Sequence, residues 1–174
     1  MIKRIVGETR IWLKFVQFAR NPYDTPKVFE LVDLMVHYRG DDYFRTMRET
    51  VYSPDFLGQF EAKLLPKFPT MDELSRKADG TLGRVFHDHM VRNGLDLNFF
   101  PMLDTNDPIK YIIYRAYLSH DVAHVMLDFD TSLPGELGLQ AYTVAQTASP
   151  ISFMIMAAGM LFTATKEPWT LIHA

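Results

Sequence analysis

Four side chains able to hold a cation crowd one short stretch: His120, Asp121 and His124, then, after an eleven-residue gap, Glu136 beside Gly135. Two imidazoles and two carboxylates suit zinc first, with Mg, Mn, Fe and Co as further candidates. Thiolate sites are excluded, because the chain has no cysteine. His120 and His124 stand four apart, so on a helix they share a face. Asp121 lies about 100° around the axis from His120, yet it precedes His124 by three and is its side-chain neighbour. One ion in front of His124 could therefore meet all three. The competing explanation is a metal-free pair of core histidines; it requires several hydrogen bonds to offset burying two imidazoles and two carboxylates.

The elements that must position these groups form a helical hairpin. Asn106-Asp107-Pro108 is a start signal, and the spacing predicts a helix over 109–126. Ile109, Ile112, Ile113, Ala116 and Tyr117 recur on its histidine face at core spacing, which points both imidazoles inward. Asp128 to Ser132 is a polar turn, and Ser132-Leu133-Pro134 reads as a cap followed by a first-turn proline. A second helix over 133–147 then runs back, which brings Glu136, near its start, level with His124, near the end of the first.

At these residues the chain resembles the coenzyme Q biosynthesis protein 4 family, whose hallmark is HDxxH, eleven residues, then E. The likeness extends through Gly80-Thr81-Leu82-Gly83-Arg84, Tyr111, Arg115, Gly135 beside Glu136, and Gln146-Thr147 with Pro150, covering about residues 79–150. It implies an all-helical protein that binds a divalent metal, usually taken as zinc, through His120, Asp121, His124 and Glu136. It further implies association with membranes and with other quinone-biosynthesis proteins, a homodimer, and a role on a prenyl lipid or polyprenylated aromatic substrate. The most concrete such role is oxidative decarboxylation of the ring carbon bearing the carboxylate. Members usually continue into a further C-terminal helix, whereas this chain stops at Leu171-Ile172-His173-Ala174.

The 174 residues, 48% hydrophobic and 22% charged, suffice for one domain with a substantial core. A net charge of −3 without a dense Lys/Arg run makes nucleic acid an unexpected partner. Neither a disulfide framework nor thiol chemistry is available. No signal-peptide core opens the chain, and a helical stripe at Ile5, Trp12, Phe15 and Phe18/Ala19 starts too early for a transit peptide. The expected location is cytoplasmic and peripheral to the membrane, or the matrix face of the mitochondrial inner membrane for an organellar mature form. Residues 1–20 carry five basic side chains (Lys3, Arg4, Arg10, Lys14, Arg20) against Glu8, a local charge of +4 that suits anionic lipid or a solvated helix face.

Helical signals recur throughout and long alternating patterns do not, so the expected fold is a single all-α domain over 1–174 with seven or eight helices. Asn21-Pro22 ends the first helix; Thr25-Pro26 starts the second, through Val36. A third is expected over 42–52, Ser53-Pro54 starts a fourth through Phe60, and Thr70 to Glu73 has capping-box spacing. The helix over 81–93, closed by Gly94, contains His87-Asp88-His89. Histidines two apart point to different sides, so at most one of them can enter a shared site, and the pair reads mainly as structural or surface. The stretch 151–165 is apolar nearly all round but too short for a bilayer span of about 20 residues. It is expected as a buried helix or one wall of a lipid pocket, with Phe153, Met156 and Met160 against a prenyl chain.

Two functions share the hairpin: a metal-dependent enzyme of quinone biosynthesis, and a non-catalytic scaffold that holds a prenyl lipid. Arg115 is the candidate partner of a substrate carboxylate or phosphate, although it points nearly opposite the histidine face. No residue is identifiable as the proton carrier. An HD-type phosphohydrolase using His87 or His89 with His120-Asp121 ranks last, because Asp128 and Asp130 follow too closely to come from a distant helix.

Overall fold

In the computed structural model the described residues are 2–46 and 53–166, the side chains of residues 2, 3, 41, 44 and 46 excepted. They form eight helices and no strand: α1 Ile2–Arg20, α2 Thr25–Thr46, α3 Pro54–Glu61, α4 Met71–Ser75, α5 Leu82–Asn93, α6 Pro108–Leu127, α7 Leu133–Thr147 and α8 Pro150–Lys166. The all-α class is as expected. Residues 47–52, the end of the expected third helix, and the terminal 171–174 lie outside the described residues.

Capping side chains fix several of the starts. Ser53 Oγ accepts from the Phe56 amide at 3.3 Å, Thr81 Oγ1 from Arg84 at 3.4 Å, and Asp107 Oδ1 from Ile109 and Lys110 at 2.8 and 3.2 Å. Thr70 and Glu73 close a full capping box, in which the Thr70 backbone N–H holds the Glu73 carboxyl below its usual range. Each cap satisfies amides that the first helical turn leaves without a carbonyl. Gly94, at φ 62°, ends α5 in the left-handed conformation.

The described residues divide into two compact units: 1–52 with 136–174, and 53–135. The division falls within the first turn of α7. In the first unit α1 packs on α2 and α8, and α2 on α8. Its core includes Ile11, Phe15, Phe18, Leu31, Val32, Met35 and Ala158. Gly7 lets the Tyr38 ring approach α1, since a Cβ there would stand 2.5 Å from the ring. The break expected before Asp42 is a kink instead. α2 bends at Arg39 (φ −131°, ψ 20°) and resumes, while the Arg39 guanidinium is gripped by Glu8 of α1 through two hydrogen bonds.

Two apolar patterns resolve differently from expectation. Of the expected α1 stripe, Phe15, Phe18 and Ala19 are buried but Ile5 and Trp12 are 58% and 55% exposed. The buried line instead runs through Gly7 and Ile11, leaving Ile5, Trp12, Leu13 and Val16 as a second, outer strip beside Glu8 and Thr9. α8 is likewise buried along one side only. Ile151, Ala158, Gly159 and Thr163 are enclosed, while Phe153 and Met160 are 55% and 50% exposed and Met156 is half-buried. No helix among the described residues is long and apolar enough to cross a membrane.

The second unit positions α6. Leu74, Phe86 and Met90 form a cluster against which Val122 and Val125 of α6 pack. Nearer its start, α6 buries Tyr111 completely. The Tyr111 hydroxyl donates to the Gln59 carbonyl at 2.9 Å, and the Phe56 and Phe60 rings meet the Tyr111 ring edge-on. That anchor turns the helix so that Ile109 and Ile113 are buried while Ala116, expected inside, is exposed.

Because Asp107 satisfies two first-turn amides of α6, Asp107→Ala should cost about 1 kcal/mol. Thermal melts should show a midpoint about 2–4 °C lower.

Candidate metal centre

His124 stands near the end of α6. It is 1% exposed, and the turn that follows α6 holds it from two directions. The Phe129 amide donates to the His124 carbonyl at 3.1 Å, and His124 Nδ1 lies 3.0 Å from the Phe129 carbonyl. A carbonyl only accepts, so Nδ1 carries the proton and Nε2 keeps its lone pair. The turn can close this tightly because Asp128 adopts the left-handed conformation at φ 56°.

His120, one helical turn earlier and half-buried, presents its own Nε2 to that lone pair at 3.2 Å. The two rings are nearly perpendicular with centroids 4.8 Å apart. Such a pair serves either as one N–H donating to one nitrogen or as two lone pairs on a common ion. Two zinc–nitrogen bonds of about 2.0–2.1 Å meeting at about 100° span the observed 3.2 Å.

Glu136 enters from the first turn of α7, where the helix dipole favours a carboxylate. One ligand atom each from His120, His124 and Glu136 lie within 4.8 Å of one another. The approach depends on the loop. Asp130 Oδ1 accepts from the Ser132 amide at 3.0 Å and from the Ser132 hydroxyl, and Ser132 Oγ caps α7 by accepting from Gly135 at 3.3 Å. Gly135 is buried against this turn, where any Cβ would collide with the carbonyl and carboxylate oxygens of Asp130.

The structure thus brings together three of the four ligands expected from sequence. Asp121, half-buried, is not in the group, which is consistent with its position one residue, about 100°, around from His120. Arg115 is engaged elsewhere: it donates to the Leu64 carbonyl at 3.0 Å and to the Tyr111 hydroxyl at 3.2 Å. Phe153, Met156 and Met160 stand on α8 in the other unit.

Of the two α5 histidines, His87 pairs with Asp88 at 2.8 Å, and that bond, with Arg84, holds the Asp88 carboxyl low. His89 approaches the centre. Its ring lies nearly parallel to His124, with centroids 6.0 Å apart. Burial lowers its pKa, and the neighbouring His124 lowers it further, with Asp121 opposing. The two-residue spacing indicated that at most one of the pair could face inward; which one was settled by the α5–α6 packing.

The profile of the family described as Coenzyme Q (ubiquinone) biosynthesis protein Coq4 matches residues 62–173. A mitochondrial ubiquinone biosynthesis protein COQ4 homolog from Danio rerio is 28% identical over 93 residues, 52% of this chain and 34% of its own length. The mitochondrial ubiquinone biosynthesis protein COQ4 of Lachancea thermotolerans is 28% identical over 90 residues, 47% of this chain and 26% of its own. These matches span well under two thirds of either relative. The fold is similar to the crystal structure of a proposed ubiquinone biosynthesis protein from Nostoc punctiforme, with a TM-score of 0.79 and 29% identity over 93% of this chain and 76% of that one.

Since a methyl at position 135 would displace the loop that aligns α7, Gly135→Ala should destabilise the protein by about 1–3 kcal/mol. Urea melts measure that loss, and zinc affinity of the refolded variant should fall with it.

Proposed function

The chain belongs to the coenzyme Q (ubiquinone) biosynthesis protein Coq4 family, and on that premise we propose that it binds a divalent ion and, beside it, a polyprenylated aromatic precursor. His120, His124 and Glu136 hold the ion, zinc in the first place, and Asp121 is the fourth candidate ligand. One observation carries this reading: the His124 lone pair, fixed by the Nδ1–H bond to Phe129, faces the His120 Nε2 at 3.2 Å within reach of the Glu136 carboxylate. A bound ion would supply Lewis acidity toward a substrate oxygen. The chain's own residues orient the ligands: Phe129 sets the tautomer of His124, and the Asp130–Ser132 turn brings up Glu136.

Oxidative decarboxylation of a prenylated hydroxybenzoate is the reaction we assign to this centre: the ring carbon loses its carboxylate as carbon dioxide and gains a hydroxyl from water, and dioxygen as co-substrate takes the two electrons and two protons and leaves as hydrogen peroxide. A scaffold role is favoured by a separate observation, because Arg115, the cation suited to a carboxylate, is committed to Leu64 and Tyr111. Phe153, Met156 and Met160, two of them open to the surface, offer apolar contact for the prenyl chain. The outer strip of α1 offers contact with a membrane surface; Lys14, one of its basic neighbours, is paired with Glu30. A homodimer and association with other quinone-biosynthesis proteins complete the proposal. The location is peripheral to the membrane, cytoplasmic or on the matrix face of the mitochondrial inner membrane.

The purified protein should bind one zinc ion per chain, and His124→Ala should weaken binding at least about a hundredfold, since it removes a buried ligand. Isothermal titration measures both, and unchanged affinity in the variant would refute the ligand set. Metal-loaded protein given a prenylated hydroxybenzoate in air-saturated buffer should release carbon dioxide with matching consumption of dioxygen; metal-dependent binding without release identifies the scaffold. Affinity across a prenyl series should rise by up to about 0.8 kcal/mol per methylene buried, and affinity independent of chain length would leave only a headgroup site.

A further inference from the structure

His89 carries a nitrogen that the protein leaves unsatisfied. Its Nε2 is sealed from solvent and has no hydrogen-bond partner, although the ring lies alongside His124. A buried polar group without a partner bears the full cost of losing water, so native structures seldom keep one without a use.

The protonation of this ring follows from its neighbour. Asn93, one turn later on α5, donates from Nδ2 to the His89 carbonyl at 2.9 Å and accepts through Oδ1 from the Thr131 hydroxyl at 3.2 Å. Together these two bonds settle which end of the amide is nitrogen. That nitrogen lies 3.4 Å from His89 Nδ1 and can only donate. Nδ1 is therefore the bare nitrogen, and Nε2 carries the proton. The same Asn93–Thr131 bond ties the end of α5 to the turn that presents Glu136, so ring and hairpin are held in register.

A protonated Nε2 is no metal ligand, and His89 is not in the group formed by His120, His124 and Glu136. It is an unpartnered donor on a ring that stacks against His124, a member of that group. We propose that the His89 Nε2–H donates a hydrogen bond to an anionic oxygen, carboxylate or phenolate, of the aromatic ligand seated on the ion, and so contributes to recognition of the headgroup. An anionic acceptor forms a stronger bond with this donor than a neutral one. The inference rests on the metal reading above and assigns it a further residue.

Cobalt(II) bound in place of zinc reports on the site through its visible absorption. The full chain, loaded with cobalt and titrated with 4-hydroxybenzoate, is compared with H89F, H89A and H89Q. Cobalt affinity should stay within about twofold in every case, because His89 is not a ligand. The aromatic acid should bind about tenfold more weakly to H89F and H89A, and H89Q, which keeps an N–H donor, should recover part of the loss. Circular dichroism identifies any variant that fails to fold, and the remaining ones carry the comparison. Equal acid affinity in the parent and the folded donor-free variants, or no acid binding by the cobalt-loaded parent, overturns this proposal alone. Loss of cobalt from H89A as severe as from His124→Ala also overturns it, by making His89 a ligand. Failure of the parent to take up cobalt overturns the metal reading and this proposal together.

Discussion

Two imidazole nitrogens facing each other 3.2 Å apart set the terms that the surrounding hairpin satisfies. His124 is buried, and burying an imidazole costs free energy at each nitrogen that lacks a defined partner. Phe129 provides for one nitrogen and, through its amide, for the His124 carbonyl as well. The other nitrogen is left to His120 and to whatever His120 and Glu136 hold jointly. Rotating the His124 ring to escape the arrangement would strand Nδ1 away from the Phe129 carbonyl, so this contact fixes tautomer and direction at once.

Rigid elements make such a contact reproducible. α6 sets the histidines one turn apart, its start is capped by Asp107, and Tyr111 anchors it through the Gln59 carbonyl and the Phe56 and Phe60 rings. Toward the other end, Val122 and Val125 pack on Leu74, Phe86 and Met90. The same α5–α6 packing that holds the helix brings His89 alongside His124. Stability and site geometry are thus built from one set of contacts, as expected where function requires ligands placed to fractions of an ångström.

Local chemistry was legible in the sequence. Ser53-Pro54, Thr70 with Glu73, Gly94 and Asp107-Pro108 stand at the helix boundaries that their start and stop signals indicated. The eleven-residue gap likewise brings Glu136 near His124, because a turn plus a short helical rise leaves few other positions. Partner choice was less legible. α1 has apolar residues on two sides, and only packing on α2 and α8 decides that Ile11 and Phe15 are buried while Ile5 and Trp12 are not. Arg39, at the kink, pairs with Glu8, thirty-one residues away, and the approach of His89 depends on how α5 meets α6. Each lies beyond the reach of local spacing.

The most direct test is anomalous X-ray scattering at the zinc edge from crystals of protein purified without chelator and supplied with zinc. The account predicts one strong peak per chain, bonded to Nε2 of His120, Nε2 of His124 and a carboxylate oxygen of Glu136. Absence of a peak there, with the two histidines still in contact at about hydrogen-bond distance, would show that the pair is a structural hydrogen bond and would contradict it.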